Sequence, residues 1–241
     1  MTASSPSRPP LLLVCALGIE RRALRGADLR GAAAPVAVLR TGMGPRAAEA
    51  AVRAAMGAFG GHGGAAVLAT GFCAGLVPGM RPGDVVVASE VREAGGADGD
   101  AAVACPESER LSSALRDHGF SVHTGPMASA DHVVRGRERA ELYSRGAIAV
   151  DMESSATLRA ALAAGDRTAA AVRVVVDTPE YELLRPGTLR TGVTAFRTLR
   201  SVVPAFIDWH RSLAGTAPAP TQASPSLVAR PRAAGALLFW R

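Results

Sequence analysis

The sequence predicts an α/β domain, a helix–sheet–helix sandwich around a central mixed sheet. Three observations lead there. Apolar runs of strand length alternate with Ala/Leu-rich or charged runs of helix length along the chain. The run 168–176 is apolar at both alternating positions, as in a strand covered on both faces. Acids recur where a strand hands over to a helix, the rim at which open α/β sheets bind ligands.

The elements follow in order. Residues 1–10 form a Ser/Pro-rich lead expected to be disordered, and 11–211 form one domain. Leu11–Leu17 is a buried first strand; Gly18-Ile19-Glu20 turns out of it, and a helix begins at Arg21–Arg25. Val36–Arg40 is the second strand, followed by Thr41-Gly42-Met43-Gly44-Pro45 and an Ala-rich helix over about 46–59. Ala65–Thr70 is a third strand leading into a glycine-flanked turn at 71–76, and Asp84–Val91 is β-branched and reads as a strand. A Gly/Ala/Asp loop spans 94–105, Glu107–His118 is an amphipathic helix stopped by Gly119, and Phe120–Thr124 is a strand. Residues 127–134 read as a loop or strand edge before a charged helix at about 137–145. Ala147–Val150 is a short strand, a helix runs from Ser154 to Ala164, and a single closing helix spans Gly192–His210. From Ser212 the Ala/Pro/Ser-rich composition marks a tail, 212–241.

Composition narrows the function. The chain has 241 residues, enough for one large core. Its formal charge of +6 comes from arginines alone, which are scattered and not interleaved with aromatics. Aromatics make up 4%, too few for base-stacking platforms, so nucleic acid is not an expected partner. Cys15, Cys73 and Cys105 show no paired spacing, which suits a reducing, cytoplasmic compartment. The five histidines form no metal-binding pattern, so no metal is expected. Leu11–Leu17 is too short to cross a bilayer.

The organising stretch is Ala147–Ala156. Asp151, Met152 and Glu153 stand between a strand and a helix, and Asp177 ends the apolar 168–176 run in the same way. Glu20 sits just past the first strand. Such acids are also ordinary first-turn helix residues, favoured by the helix dipole. The strand–GxG–helix unit at Gly42-Met43-Gly44 offers backbone N–H groups to an anion or a ribose, or is simply a tight connection. Phe72 beside Gly71 is a base or sugar platform or a core plug. His132 reads as a loop histidine before a general base.

The segments ALGIE (16–20), TGMG (41–44), TGFCAGL (70–76), PGDVVVASE (82–90), AIAVDMES (147–154) and RVVVD (173–177) resemble the purine nucleoside phosphorylase and methylthioadenosine/S-adenosylhomocysteine nucleosidase superfamily. The resemblance covers about 11–210, and its nearest branch is the hopanoid-associated phosphorylases. It implies the nucleoside phosphorylase-like fold, a homo-oligomer, and cleavage of a purine N-glycosidic bond. The branch implies release of adenine from adenosylhopane, a lipid-linked nucleoside. Glu153 matches the glutamate on the ribose hydroxyls, Met152 the methionine against the sugar, Asp177 the acid serving purine N7, and Glu20 the glutamate that activates water. Val133 and Val134 fall where the base is gripped. Two departures stand out: Val176 replaces a serine common before the aspartate, and Ala69 and Phe72 replace phosphate-binding residues of many phosphorylases.

The chemistry needs little else. A carboxylic acid kept neutral by apolar surroundings relieves charge on the departing base, the expectation for Asp177. A carboxylate on the ribose hydroxyls places negative potential by the cationic sugar, the expectation for Glu153. The nucleophile is water with Glu20 as base, or phosphate as co-substrate held by Arg40 or another arginine; no cofactor is needed. The alternatives are a methylthioadenosine/S-adenosylhomocysteine or futalosine nucleosidase, and a non-catalytic nucleoside-binding protein. The tail ends Leu-Leu-Phe-Trp-Arg with further arginines and no acids after 226, a composition suited to weak contact with an anionic membrane surface.

Overall fold

The computed structural model describes residues 8–58, 65–95, 102–179 and 188–213. The strands are β1 (Leu11–Cys15), β2 (Val36–Arg40), β3 (Ala66–Gly75), β4 (Val85–Glu93), β5 (Val103–Ala104), β6 (Val122–Ser129), β7 (Ala149–Asp151) and β8 (Ala169–Asp177). The helices are α1 (Gly18–Arg25), α2 (Pro45–Ala58), α3 (Ser108–Asp117), α4 (Arg137–Ser144), α5 (Ser154–Ala163), α6 (Thr188–Ser201) and α7 (Val203–Ser212). The lead up to residue 7 and the tail from residue 214, with its membrane-contact expectation, lie outside the described residues.

The sheet is mixed. β1 pairs in parallel with β2 and β3, and β3 with β8. β8 continues antiparallel to β4, β4 runs parallel to β6, and β6 parallel to β7, which returns antiparallel to β3. Five strands therefore close into a ring, with β1 and β2 extending one side.

Period-two alternation divides the core into two layers. Leu11, Leu13, Val85, Val87, Val172 and Val174 face α1, α3, α6 and α7, where Phe206 and Trp209 are fully buried. Leu12, Val14, Val67, Val86, Ala171 and Val175 face α2 and α5 through Val52, Met56 and Leu158. Helices thus cover both faces, as predicted. A smaller cluster, including Val134, Leu142, Ala147 and Val150, seats α4 beside β6 and β7.

Four elements differ from expectation. The predicted 94–105 loop holds a short strand, β5, paired antiparallel to β4. β3 runs through the predicted turn, so Phe72 is a strand residue paired with Val174 of β8. Pairing with β8 overrides the turn preference of the two glycines. β6 likewise runs on to Ser129, because β4 and β7 pair with it on either side. The predicted closing helix is two helices, parted at Val202. Pro204 lies in the first turn of α7, where it needs no N–H, whereas inside one long helix its ring would meet the carbonyl of Arg200.

Candidate active site

The site forms where β1, β3, β7 and β8 end. Glu20, in the first turn of α1, folds back under the strand end. Its Oε2 accepts from the backbone N–H groups of Ala16 and Leu17, at 2.9 and 2.7 Å, and its Oε1 accepts from Phe72 N–H at 2.7 Å. Glu20 is therefore both a helix-start acid and a cavity residue. Burial raises its pKa; the opposing pull of Arg173 and the backbone N–H groups does not cancel that. Gly71 makes room for this arrangement. Its φ is +140°, and a Cβ there would lie 2.5 Å from Glu20 Oε1 and 2.8 Å from Arg173 Nη1.

Glu153 precedes α5 and reaches across to the TGMG turn, where Gly44 N–H donates to Oε1 at 2.8 Å. The backbone cradle expected for an anion thus holds a carboxylate of the protein itself. Burial raises the Glu153 pKa, Arg173 and Gly44 lower it, and neighbouring Asp151 and Glu20 raise it further. Asp151 accepts from Ser154 N–H at 3.0 Å as α5 begins and pairs with Arg173 at 2.5 Å. It is an anchor first, since its side chain is 1% exposed.

Arg173 joins these acids. It is 1% exposed, and donates to Ser154 Oγ at 2.9 and 3.1 Å and to the carbonyl of Thr70 at 3.0 Å. Burial works against its charge, but Asp151, Glu153 and Glu20 outweigh it and hold its pKa up. An arginine inside a strand covered on both faces demands such partners. It is the one charged residue inside the otherwise apolar 168–176 run, the visible exception that marks it.

The other end of the cavity belongs to Asp177, buried at the end of β8. The apolar strand supplies the burial expected there, but Arg139 of α4 faces the carboxylate, Nη2 to Oδ2 at 2.6 Å. Arg139 also donates from Nε to the Val134 carbonyl at 3.1 Å. No sequence pattern pointed to it: α4 is a charged helix with two arginines, and only the fold selects one. His132, at the rim, is exposed and bonds Asp131 at 2.7 Å and Glu138 at 3.0 Å, which raise its pKa.

One cavity of about 160 Å³ is lined by Glu20, Glu153 and Asp177 together. Met43, Phe72, Val133, Val134, Asp151 and Met152 also line it, whereas Gly42 and Gly71 stand behind the wall. Cys73 lines it too, but burial holds its thiol far above the ordinary value, so it is no nucleophile at neutral pH. Arg40 is exposed at the end of β2 and does not line it. Among the described residues no group of three His, Cys, Asp or Glu is arranged to hold a metal ion.

A family model, that of the phosphorylase superfamily, matches residues 22–196. The chain belongs to the phosphorylase superfamily. Solved structures with the superfamily's nucleosidase fold superpose over nearly their whole length. S-adenosylhomocysteine nucleosidase from Streptococcus pyogenes, in complex with 5-methylthiotubericidin, aligns with a TM-score of 0.71 and 16% identity, covering 87% of this chain and 99% of that one. Futalosine hydrolase from Helicobacter pylori aligns at 0.68 and 18%, covering 85% and 99%. The 5′-methylthioadenosine/S-adenosylhomocysteine nucleosidase from Neisseria meningitidis aligns at 0.64 and 20%, covering 80% and 98%. No curated protein matches the sequence.

Proposed function

We propose that this superfamily member is an enzyme that cleaves the N-glycosidic bond of a purine nucleoside, with water as the nucleophile. The observation that carries the reading is one cavity in which three buried acids arrive from separate strand ends, Glu20, Glu153 and Asp177. Glu153 accepts from the ribose hydroxyls and stabilises positive charge on the sugar. Glu20 takes a proton from water; burial raises its pKa and so makes it a stronger base. Asp177, with Arg139, meets the base. Water adds to the sugar carbon as the bond to the purine breaks, giving a free sugar and a purine.

The charge balance favours water over phosphate. Among the described residues the one arginine lining the cavity, Arg139, is paired with Asp177. Arg173, behind the wall, is committed to Asp151, Ser154 and Thr70. Glu20, Asp151 and Glu153 then oppose a phosphate dianion.

The 5′ substituent we assign is apolar. Met43, next to the Gly44 that bonds Glu153, stands on the cavity wall with 66% of its surface exposed, and a hydrocarbon group would cover it. The adenosylhopane of the resemblance is the extreme case, with adenine as the product. A small 5′-alkylthio nucleoside is the second reading, supported by the likeness to the 5′-methylthioadenosine/S-adenosylhomocysteine nucleosidase. The test is incubation with adenosines bearing 5′-methylthio, 5′-alkyl or 5′-hopanyl groups, with and without phosphate, and mass analysis of both products. Adenine and free sugar without phosphate are expected, with rates rising along the apolar series. Phosphate-dependent release as sugar 1-phosphate overturns the nucleophile; no release from any purine nucleoside overturns the reading.

A further inference from the structure

Outside the cavity, the arginines of α1 and α6 form a surface that no acid balances. α1 exposes Arg21, Arg22 and Arg25, while its one acid, Glu20, turns inward with Ala23 and Leu24. α6 exposes Val193, Arg197 and Arg200 at i, i+4 and i+7, one stripe of a helix, and contains no acid. The two helices pack together: a side chain at Gly26, just past α1, would lie 3.6 Å from the guanidinium carbon of Arg200. None of the five arginines has an acidic partner among the described residues. The acids that follow the two helices are already taken, Asp28 by Arg30 and Asp208 by Arg211 and His118.

The helix dipole accounts for part of this. Arg22 and Arg25 lie in the last turn of α1 and Arg200 in that of α6, where a cation is favoured. It does not account for Arg21, in the N-terminal half of α1, or for Arg197, in mid-helix. Like charges gathered on one face repel, a cost that an anionic partner removes. Exposed aliphatic side chains stand among them, Ile19 at 53% and Val193 at 46%. A phosphate surface backed by hydrocarbon suits both features, which favours lipid over nucleic acid, whose bases need stacking rings. We propose that the α1–α6 face docks on an anionic lipid surface through Arg21, Arg22, Arg25, Arg197 and Arg200, with Ile19 and Val193 reaching the acyl boundary. Leu17 and Glu20 line the cavity where α1 begins, so docking sets the cavity beside the lipid from which an apolar nucleoside would be drawn. The inference goes beyond the catalytic reading and does not depend on it.

The experiment measures co-sedimentation of the full-length protein with phosphatidylcholine vesicles, with and without about one-quarter phosphatidylglycerol. Binding is expected only with the anionic lipid, and should weaken as salt rises. Two triple variants lose the same charge. One carries Arg21→Gln, Arg25→Gln and Arg197→Gln on this face; the other carries Arg53→Gln, Arg116→Gln and Arg145→Gln, exposed on other elements. The first should lose affinity about fivefold per arginine, about a hundredfold in all, and the second far less. Both should keep the wild-type unfolding midpoint. Equal losses in the two variants, or none in the first, overturn the inference, as does binding to a short DNA duplex tighter than to the anionic vesicles at the same salt. None of Arg21, Arg25 and Arg197 lines the cavity, so turnover of water-soluble 5′-methylthioadenosine should be unchanged in the first variant. If the wild type cleaves no purine nucleoside, the catalytic reading fails, and vesicle binding still decides this inference.

Discussion

The two ends of the cavity are built on opposite plans. At the sugar end, Glu20, Asp151 and Glu153 surround one arginine, every member is buried, and backbone N–H groups bond each acid. At the base end, Asp177 meets Arg139, which arrives on α4, a short helix with one buried residue, Leu142. The first end is cross-braced: Glu20 bonds the end of β1 and Phe72 of β3, Asp151 bonds Ser154 and Arg173 of β8, and Glu153 bonds Gly44 of the β2–α2 turn. The second joins the ring of strands to an appended helix. On the proposed reading, the group that serves the ribose sits on the braced plan, and the group that meets the base sits on the one that can change without dismantling the sheet.

Arg173→Met should break that contrast most severely. It leaves three buried acids without a counter-ion, a change worth about 3–5 kcal/mol when one partner of a buried pair is removed. Thermal or urea unfolding should show a large loss, with little folded protein at 37 °C. A normal unfolding midpoint would show that Arg173 is not the hub.

Asp177→Asn tests the base end. Turnover of purine nucleosides should fall roughly a hundredfold or more, as expected when a positioned group on the leaving base is lost. Stability should change far less than in Arg173→Met. Near-normal rates in the folded variant would remove Asp177 from the reaction.

Glu153→Gln sharpens the sugar end in two ways. Its rate loss should be larger on a ribonucleoside than on the 2′-deoxy analogue, which lacks one of the hydroxyls it serves; equal losses would reduce Glu153 to a helix-start acid. Its unfolding midpoint should also respond to pH. Burial raises the folded pKa of Glu153 and Glu20 above their unfolded values. Their contribution to stability is therefore complete below the ordinary glutamate range and lost as pH rises through the raised values. The wild-type midpoint should decline over that interval, and Glu153→Gln should flatten the decline. An identical pH profile in the two proteins would contradict the burial argument.

His132→Ala should have the smallest effect. His132 is exposed and satisfied by Asp131 and Glu138 at the rim, so kcat/KM should stay within a few fold. A loss comparable to that of Asp177→Asn would return it to candidacy as a general base.

The sequence already disclosed what local pattern can carry. Residues 168–176 announced a strand covered on both faces, and Glu20, Glu153 and Asp177 announced themselves by position, as acids at strand ends. What stayed hidden depends on partners far along the chain. Gly71 reads as a turn until β8 is known to pair through it. Arg139 is one arginine among many until α4 is docked beside β8. Arg173 and Pro204 are a different lesson: a charge in a doubly covered strand and a proline within a helical run are both visible exceptions, and each marked a place where the simple pattern broke.

The closed ring of strands has a consequence for when backbone amides meet solvent. β3, β8, β4, β6 and β7 each have neighbours on both sides, so none can peel away without opening the others. Deuterium uptake at β8 should therefore follow only whole-molecule opening, whereas α4 can open alone. A nucleoside that engages Arg139 should slow exchange in α4 while leaving the already protected strands unchanged, so occupancy of the base end would be recorded in the isotope pattern of one helix.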